Sequence, residues 1–142
     1  MAVTVKEITL WRREIDNRPG KLSQVLEPLA GSADLQVVMA YRYPGDENRG
    51  AVELFPVSGK KATAAAQAAG LAPAGIPALL VEGSNKAGIG FETTKAIAAA
   101  GINLAFLVAQ VIGSKFSSVY GFDSEDDRRK AVSLLKKGTS KR

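Results

Sequence analysis

The apolar and polar positions along the chain predict two successive rounds of one pattern of strands and helices. Strands are indicated where apolar and polar residues alternate, and helices where apolar residues recur at i, i+3, i+4 and i+7. The first round predicts a strand at 3–15, a helix from residue 20 that Pro28 either kinks or ends early near Glu27, strands at 35–43 and 51–57, a helix at 60–69 and a short strand at 71–74. The second round predicts a strand at 78–83, a helix at 88–100, strands at 102–112 and 115–122, and a helix after Ser124. The order is therefore βαββαβ followed by βαββα.

Two polar loops stand at the same place in the two rounds. The first is Asp16-Asn17-Arg18-Pro19-Gly20 and the second is Ser84-Asn85-Lys86-Ala87-Gly88. Each loop follows an apolar run, places Asn three residues before Gly, and leads into a helix, with the two glycines roughly 68 residues apart. Because a repeat of this kind indicates duplicated units, we predict two modules, at 1–75 and 76–142.

A module of this order forms an antiparallel sheet with its helices on one face. The predicted fold class is therefore α+β, with two ferredoxin-like βαββαβ modules whose sheets pack together. Residues 138–142 are too few and too polar for a convincing strand, so the second module lacks a clear last strand and leaves the strand at 78–83 on an exposed edge. The strand at 102–112 is apolar on both faces, which is typical of a sheet covered on both sides by contacts within or between chains.

Composition narrows the classes of function. The 142 residues include no Cys and no His, so the chain has no thiolate ligand, no disulfide, and neither the commonest general base nor the commonest transition-metal ligand. We therefore expect no catalytic residues, no metal site and no cofactor. No stretch approaches the roughly 20 apolar residues of a membrane span, which favours a cytoplasmic protein without membrane contact. The net charge is +5, and a basic cluster near the end is interpreted as a solvated helix face and terminus: Arg128, Arg129, Lys130, Lys136, Lys137, Lys141 and Arg142.

The two loops are the candidate sites for chemistry. A loop that opens a helix at Gly presents unpaired backbone N–H groups and the positive end of the helix dipole, which suit a carboxylate. A neighbouring Asn adds one acceptor and two donors, so each loop could bind the carboxylate and ammonium groups of a free amino acid. The alternative is that Asp16 and Asn17 simply form the turn and cap the helix, and for either loop alone the two interpretations are evenly balanced.

On these motifs, together with Gly101-Ile102-Asn103-Leu104, the chain resembles the ACT domain family in tandem over nearly its whole length. The resemblance implies small ferredoxin-like modules that bind amino acids and regulate metabolism. It also implies that ligand contacts come from the Asn of the first loop, the backbone amides beside the Gly, and an Asn that opens the second strand. The implied binding residues are Ser84, Asn85, Lys86, Ala87, Gly88, Ile89 and Asn103 in the second module, and Asp16, Asn17, Arg18 and Gly20 in the first.

The two modules depart from that pattern in different ways. The first has Asp34 where the second has Asn103, and a carboxylate there would repel a carboxylate ligand. The second has Gly90 in the helical position that Leu22 holds in the first. Its apolar stripe is therefore thin, so that the helix either approaches the sheet or leaves a small cavity. We prefer the loop of the second module as the binding site.

The leading hypothesis is a non-catalytic sensor that binds a free amino acid at an interface between modules and regulates amino-acid metabolism. The other expected partners are a second copy, in a homodimer, and a metabolic enzyme. One alternative is a structural or regulatory subunit with degenerate pockets that pairs with a partner enzyme through a sheet edge. Another is an RNA-binding module, since such modules share the βαββαβ order and the chain is basic. The strands at 51–57 and 115–122 lack the basic and aromatic signature of that class, so a nucleic-acid partner is disfavoured.

Overall fold

The computed structural model describes residues 3–140, with side chains described as far as residue 136, and divides into two compact units. The inserted unit is Thr9–Gly75, and the outer unit is formed by the described residues on either side of it. In chain order the elements are β1 Val3–Ile8, β2 Trp11–Asp16, α1 Lys21–Leu26, a 3₁₀ turn Glu27–Leu29, β3 Val37–Tyr43, β4 Asp46–Phe55, α2 Lys60–Ala68, β5 Ala72–Pro73, β6 Ala78–Ser84, α3 Ile89–Ala99, β7 Leu104–Ile112, β8 Lys115–Phe122 and α4 Glu125–Ser140.

The inserted unit is a four-stranded antiparallel sheet in the order β3-β4-β2-β5. Residues of α1, the 3₁₀ turn and α2 pack with alternate residues of β4 in one core, so these helical segments cover the same face of the sheet. That core contains Val25, Leu29, Val52, Leu54, Ala66, Ala69 and Leu71. The early end of α1 is confirmed, because Pro28 falls inside the 3₁₀ turn that follows Leu26.

The outer unit has the same layout, with the strand order β1-β6-β8-β7. Its helices α3 and α4 contribute to a core with one face of β6 and β8, which contains Leu79, Val81, Ile97, Ile102, Phe116, Tyr120, Phe122, Ala131 and Leu135. In this order β1 lies next to β6, which is the position that β5 has next to β2 in the inserted unit. The two units are therefore copies of one βαββαβ sheet, as the repeat predicts, and together they confirm the α+β, ferredoxin-like class.

The last strand of the outer unit comes from the beginning of the chain. We predicted one strand at 3–15, but the structure has two, and β1 pairs antiparallel with β6 from Val3 opposite Gly83 to Ile8 opposite Ala78. The predicted boundaries therefore differ from the two units over Val3–Ile8, which belong to the outer unit. The predicted exposed edge at 78–83 is also wrong, since β6 lies between β1 and β8. The alternation misled because it continues through Thr9 and Leu10, where no Gly or Pro marks the change of sheet.

One hairpin turn is shorter than predicted. The predicted strands at 35–43 and 51–57 leave residues 44–50 between them, but β4 already begins at Asp46. The two-residue turn is feasible because Gly45 has a φ of +81°, a conformation that L side chains rarely adopt. A register shift between Arg42 and Tyr43 joins the turn to the regular part of the ladder.

Helix α4 fixes β1 in place through Arg128. The helix begins as predicted, with Ser124 Oγ accepting a hydrogen bond from the Asp127 backbone N–H at 3.1 Å. The side chain of Arg128 is 15% exposed, and its guanidinium contacts the backbone oxygens of Ile8 at 3.5 Å and Ala78 at 3.4 Å. One member of the predicted basic cluster is therefore a structural contact rather than part of a solvated face.

The rest of that basic cluster lies only partly within the residues that the structure describes. Arg129 is 72% exposed and pairs with Asp126 one turn earlier, which agrees with a solvated helix face. The side chain of Lys137 and all of Lys141 and Arg142 lie outside the described residues. Over residues 3–140, no helix has the length and apolar character needed to cross a membrane.

Candidate ligand-binding loops and the adjoining cavity

The two predicted loops have the same backbone arrangement. The backbone N–H of Asn17 donates to the carbonyl of Asn48, and that of Asn85 donates to the carbonyl of Ser114, each at 2.8 Å. This bond joins the end of β2 to the β3–β4 hairpin in the inserted unit, and the end of β6 to the β7–β8 hairpin in the outer unit. The sequence repeat therefore extends to individual hydrogen bonds.

The glycines that open the helices are also equivalent. Gly20 has a φ of +89° and Gly88 a φ of +86°, and each is the N-terminal cap of its helix. The carbonyl of Gly20 accepts a hydrogen bond from Gln24, and the carbonyl of Gly88 accepts one from Glu92, at 3.0 and 2.9 Å. A side chain at either glycine would be strained, because L residues rarely adopt this left-handed conformation.

The two asparagine side chains differ. Asn17 Nδ2 donates to the carbonyl of Glu47 at 2.7 Å, so its carboxamide holds the loop against the hairpin. Arg18 and Asp16 form an exposed ion pair at 3.5 Å in the same loop. In contrast, the exposed carboxamide of Asn85 has no hydrogen-bond partner among the described side chains and backbone groups. The geometry thus favours the turn-forming interpretation for the first loop and leaves the second with an available polar side chain.

The other predicted residues of the second loop are on the surface. Ser84 is the last residue of β6 and lies opposite Lys115, while Ala87 is exposed in the loop. Lys86 reaches forward to Glu92 on α3, with Nζ 3.4 Å from a carboxylate oxygen. Ile89 is the first residue of α3 and is partly buried against the core.

Asn103 does not lie with this loop. It directly precedes β7, whose first residue Leu104 is opposite Phe122, whereas Ser84 is opposite Lys115 at the other end of β8. With about 3.3 Å per residue, the length of β7 separates the two ends of the sheet by about 26 Å. The structure therefore does not bring Asn85 and Asn103 together within one outer unit.

A cavity of about 200 Å³ lies between α3 and the sheet of the outer unit, and its wall begins at Ile89, the first residue after the second loop. Of the two consequences expected from the thin stripe of α3, the structure has the cavity. Gly90 forms part of its wall, and a Cβ placed on Gly90 would have no heavy atom within 4 Å. The lining residues are Ile89, Gly90, Thr93, Leu107, Ala109, Gln110, Val111, Phe116, Ser118 and Tyr120.

Three buried hydroxyl groups on the cavity wall were not predicted. Tyr120 donates to Thr93 Oγ1 at 2.7 Å, and Thr93 Oγ1 lies 3.0 Å from the carbonyl of Ile89, to which it can donate. Ser118 donates to the carbonyl of Val81 at 3.1 Å. Each hydroxyl hydrogen thus has an acceptor within the unit, and these buried polar groups are satisfied without a ligand.

The inserted unit fills the corresponding space with its own side chain. Leu22, the counterpart of Gly90, is packed against the core of that unit. The neighbouring core positions hold the aliphatic residues Val25, Val52 and Leu54. Their counterparts in the outer unit, from the helix repeat and the strand registers, are Thr93, Ser118 and Tyr120.

A second polar cluster lies on the strands of the inserted unit. Glu53 is 1% exposed and accepts a hydrogen bond from the Tyr41 hydroxyl at 2.9 Å, while its other carboxylate oxygen has no partner among the described residues. Burial raises the pKa of Tyr41, and the bond to Glu53 raises it further. Burial alone would lower the pKa of Arg12, but hydrogen bonds to Tyr41 and Tyr43 reverse this and raise it. A hydrogen bond from Tyr43 lowers the pKa of Glu14.

These groups are bonded to one another, and the Tyr43 hydroxyl links Arg12 to Glu14. The described residues also contain no group of three or more acidic side chains placed to hold a metal ion.

Several solved structures have a similar fold. A protein from Bacteroides thetaiotaomicron is 16% identical, with a TM-score of 0.77 over 95% of this chain and 90% of that chain. The ligand-free regulatory subunit of aspartate kinase from Thermus thermophilus is 15% identical, with a TM-score of 0.58 over 94% and 95%. The corresponding subunit from Thermus flavus is 14% identical, with a TM-score of 0.58 over 95% and 97%. The chain has the tandem ACT-type fold.

At these identities the comparison establishes the ACT-type fold and nothing about the ligand. No protein-family model matches the chain, and no curated protein sequence matches it. Any assignment of function therefore rests on the residues of the second loop and its cavity, considered on this ACT-type backbone.

Proposed function

We propose that the outer unit binds a free amino acid and serves as a non-catalytic regulatory module in amino-acid metabolism. The observation that carries this proposal is the pairing of an available carboxamide with an adjoining cavity. Asn85 has no partner among the described residues, and the helix that follows its loop begins with Ile89 and Gly90, which line the cavity. Regulation is proposed because two proteins that share the fold are regulatory subunits of aspartate kinase.

The proposed recognition has two parts. The Asn85 carboxamide offers donors to the ligand carboxylate and an acceptor to its ammonium group. The first turn of α3 adds the positive end of the helix dipole, which favours the carboxylate. Asp16, Asn17, Arg18 and Gly20 are not included in this site, since the Asn17 side chain is bound to the carbonyl of Glu47.

We propose further that the protein acts as a homodimer joined at β7. This strand forms an edge of the outer sheet, and four of its apolar side chains, Leu107, Val108, Val111 and Ile112, are between 39% and 66% exposed. Within the outer unit β7 thus lacks the double cover that its sequence predicted. Antiparallel pairing with β7 of a second copy would satisfy the backbone groups of this edge and set the apolar side chains of the two strands beside each other. It would also bring Asn103 of that copy towards the Asn85 end of the sheet. The mass of the protein in solution tests this arrangement.

Thermal unfolding in the presence of each common amino acid tests the binding proposal. A ligand at 100 times its Kd adds about 2.7 kcal/mol to the free energy of unfolding. For a chain of 142 residues this raises the melting temperature by about 9 °C. Asn85→Ala should remove the response to ligand and leave basal stability nearly unchanged.

The equivalent residue of the other unit provides the matched control. Asn17→Ala should lower basal stability, because the carbonyl of Glu47 loses its partner, and should leave the response to ligand intact. Stabilisation by no amino acid, or an undiminished response in Asn85→Ala, would refute the proposal.

A further inference from the structure

We infer that the cavity of the outer unit receives the branched aliphatic side chain of the amino acid, and so selects leucine, isoleucine or valine. This inference rests on the proposed amino-acid binding and specifies its ligand. It begins from the difference between the two units at one helical position. Leu22 packs into the core of the inserted unit, whereas the outer unit has Gly90 and an open space. A ligand side chain of leucine size would restore the contact that the repeat otherwise makes.

The size of the cavity suits a single amino acid. Its volume is about 200 Å³. Sites for drug-sized ligands are larger, at roughly 300–1,000 Å³. Leu107, Val111 and Phe116 supply apolar wall, and the cavity begins at the first turn of α3, where the proposed carboxylate contacts lie. A ligand whose head group is held at the loop can therefore place its side chain against this wall.

The chemistry of the lining excludes charged side chains. None of the described residues that line the cavity carries a charge. The hydroxyl hydrogens of Thr93, Ser118 and Tyr120 are directed to acceptors within the unit, so they are not available to a carboxylate. A lysine or aspartate side chain would lose its hydration here without gaining a charged partner, which is strongly unfavourable.

The experiment measures binding of leucine, isoleucine, valine, lysine and aspartate to the full chain by calorimetry. We expect at least one aliphatic amino acid to bind at least tenfold more tightly than lysine and aspartate. Gly90→Leu should then weaken that binding at least tenfold while the melting temperature stays the same or rises, because the added Cβ meets no heavy atom within 4 Å. Gly90→Ala is a milder variant with the same expected direction.

Gly31→Leu is the matched control. A Cβ on Gly31 also meets nothing within 4 Å, and this residue is remote in sequence and lies in the inserted unit. It should bind the aliphatic amino acid as the wild type does. Equal or tighter binding of lysine or aspartate, or unchanged binding in both Gly90 variants, would overturn the inference while leaving amino-acid binding intact. If none of the common amino acids bound, the proposed function and this inference would both fail.

Discussion

Replacement of Arg128 by Ala should loosen β1, the strand that pairs with β6 in the outer unit. The guanidinium bridges β1 and β6 by contacting the carbonyls of Ile8 and Ala78. It also pairs with Glu125 at 2.6 Å. Its Nε lies 3.2 Å from a carboxylate oxygen of Glu7, which is close enough for an ionic contact but not aligned for a hydrogen bond. The inserted unit separates β1 in sequence from the rest of the outer sheet, and the Arg128 contacts add to the ladder that β1 forms with β6.

The size of the effect follows from these four contacts. The two carbonyl contacts are near the upper limit of hydrogen-bond length, and both carboxylates are more than half exposed, so each contact is worth about 0.5 kcal/mol. The total loss is about 2 kcal/mol, which for 142 residues lowers the melting temperature by about 7 °C. Urea unfolding measures the free energy, and hydrogen exchange of the β1 amides measures the local loosening.

The neighbouring arginine is the control for this prediction. Arg129 also pairs with an acidic residue one turn earlier, but both partners are more than 70% exposed. Arg129→Ala should therefore change the free energy of unfolding by no more than about 0.5 kcal/mol. Equal losses in the two variants, or unchanged exchange of the β1 amides in Arg128→Ala, would show that the guanidinium does not anchor β1.

Two further predictions concern the proposed dimer and the partly buried hydrogen bond between Tyr41 and Glu53. Val108→Lys on β7 should convert the dimer to a monomer, as measured by sedimentation velocity. Val38→Lys is the control, because it lies at a similarly exposed position of the β3 edge and should leave the dimer intact. A dimer that survives Val108→Lys would argue against pairing at β7. Because the pKa of Tyr41 is raised above 10.0, its contribution to stability is complete below pH 10 and is lost as the pH rises through the folded pKa. Tyr41→Phe should therefore lower the free energy of unfolding at neutral pH by about 1 kcal/mol, since Glu53 loses its partner. Between pH 9 and 11 the free energy of unfolding should fall less steeply in this variant than in the wild type. Parallel pH profiles of the two proteins would contradict this.

The sequence predicted local structure well and one long-range pairing poorly. The helix that stops before Pro28 and the cap at Ser124 follow from the preferences of single residues, and both are present in the structure. The pairing of Val3 with Gly83 could not be read from alternation, because the pattern shows that a segment is a strand but not which strand it joins. The separation of Asn85 from Asn103 could have been predicted from the hairpin, since a full strand lies between Asn103 and the turn at Ser114.

The cavity shows a similar division between what the sequence contained and what required the fold. Comparison of the two helices identified Gly90 as the position of Leu22 and so predicted either close packing or a gap. Only the sheet register shows which residues surround that gap, because they come from α3, β7 and β8.

The divergence of the two units indicates that the gap at Gly90 is more than the loss of one side chain. A missing leucine alone would leave an aliphatic wall, and the surrounding core would collapse partly to recover dispersion contacts. The wall instead contains the buried hydroxyls of Tyr120, Thr93 and Ser118, each with its hydrogen bonded inside the unit. These bonds fix the side chains in place, so the wall resists collapse and the space remains open beside the loop of Asn85. An open, shaped space that begins at the first turn of the helix after the Asn85 loop is a better match to ligand binding than to a defect of packing.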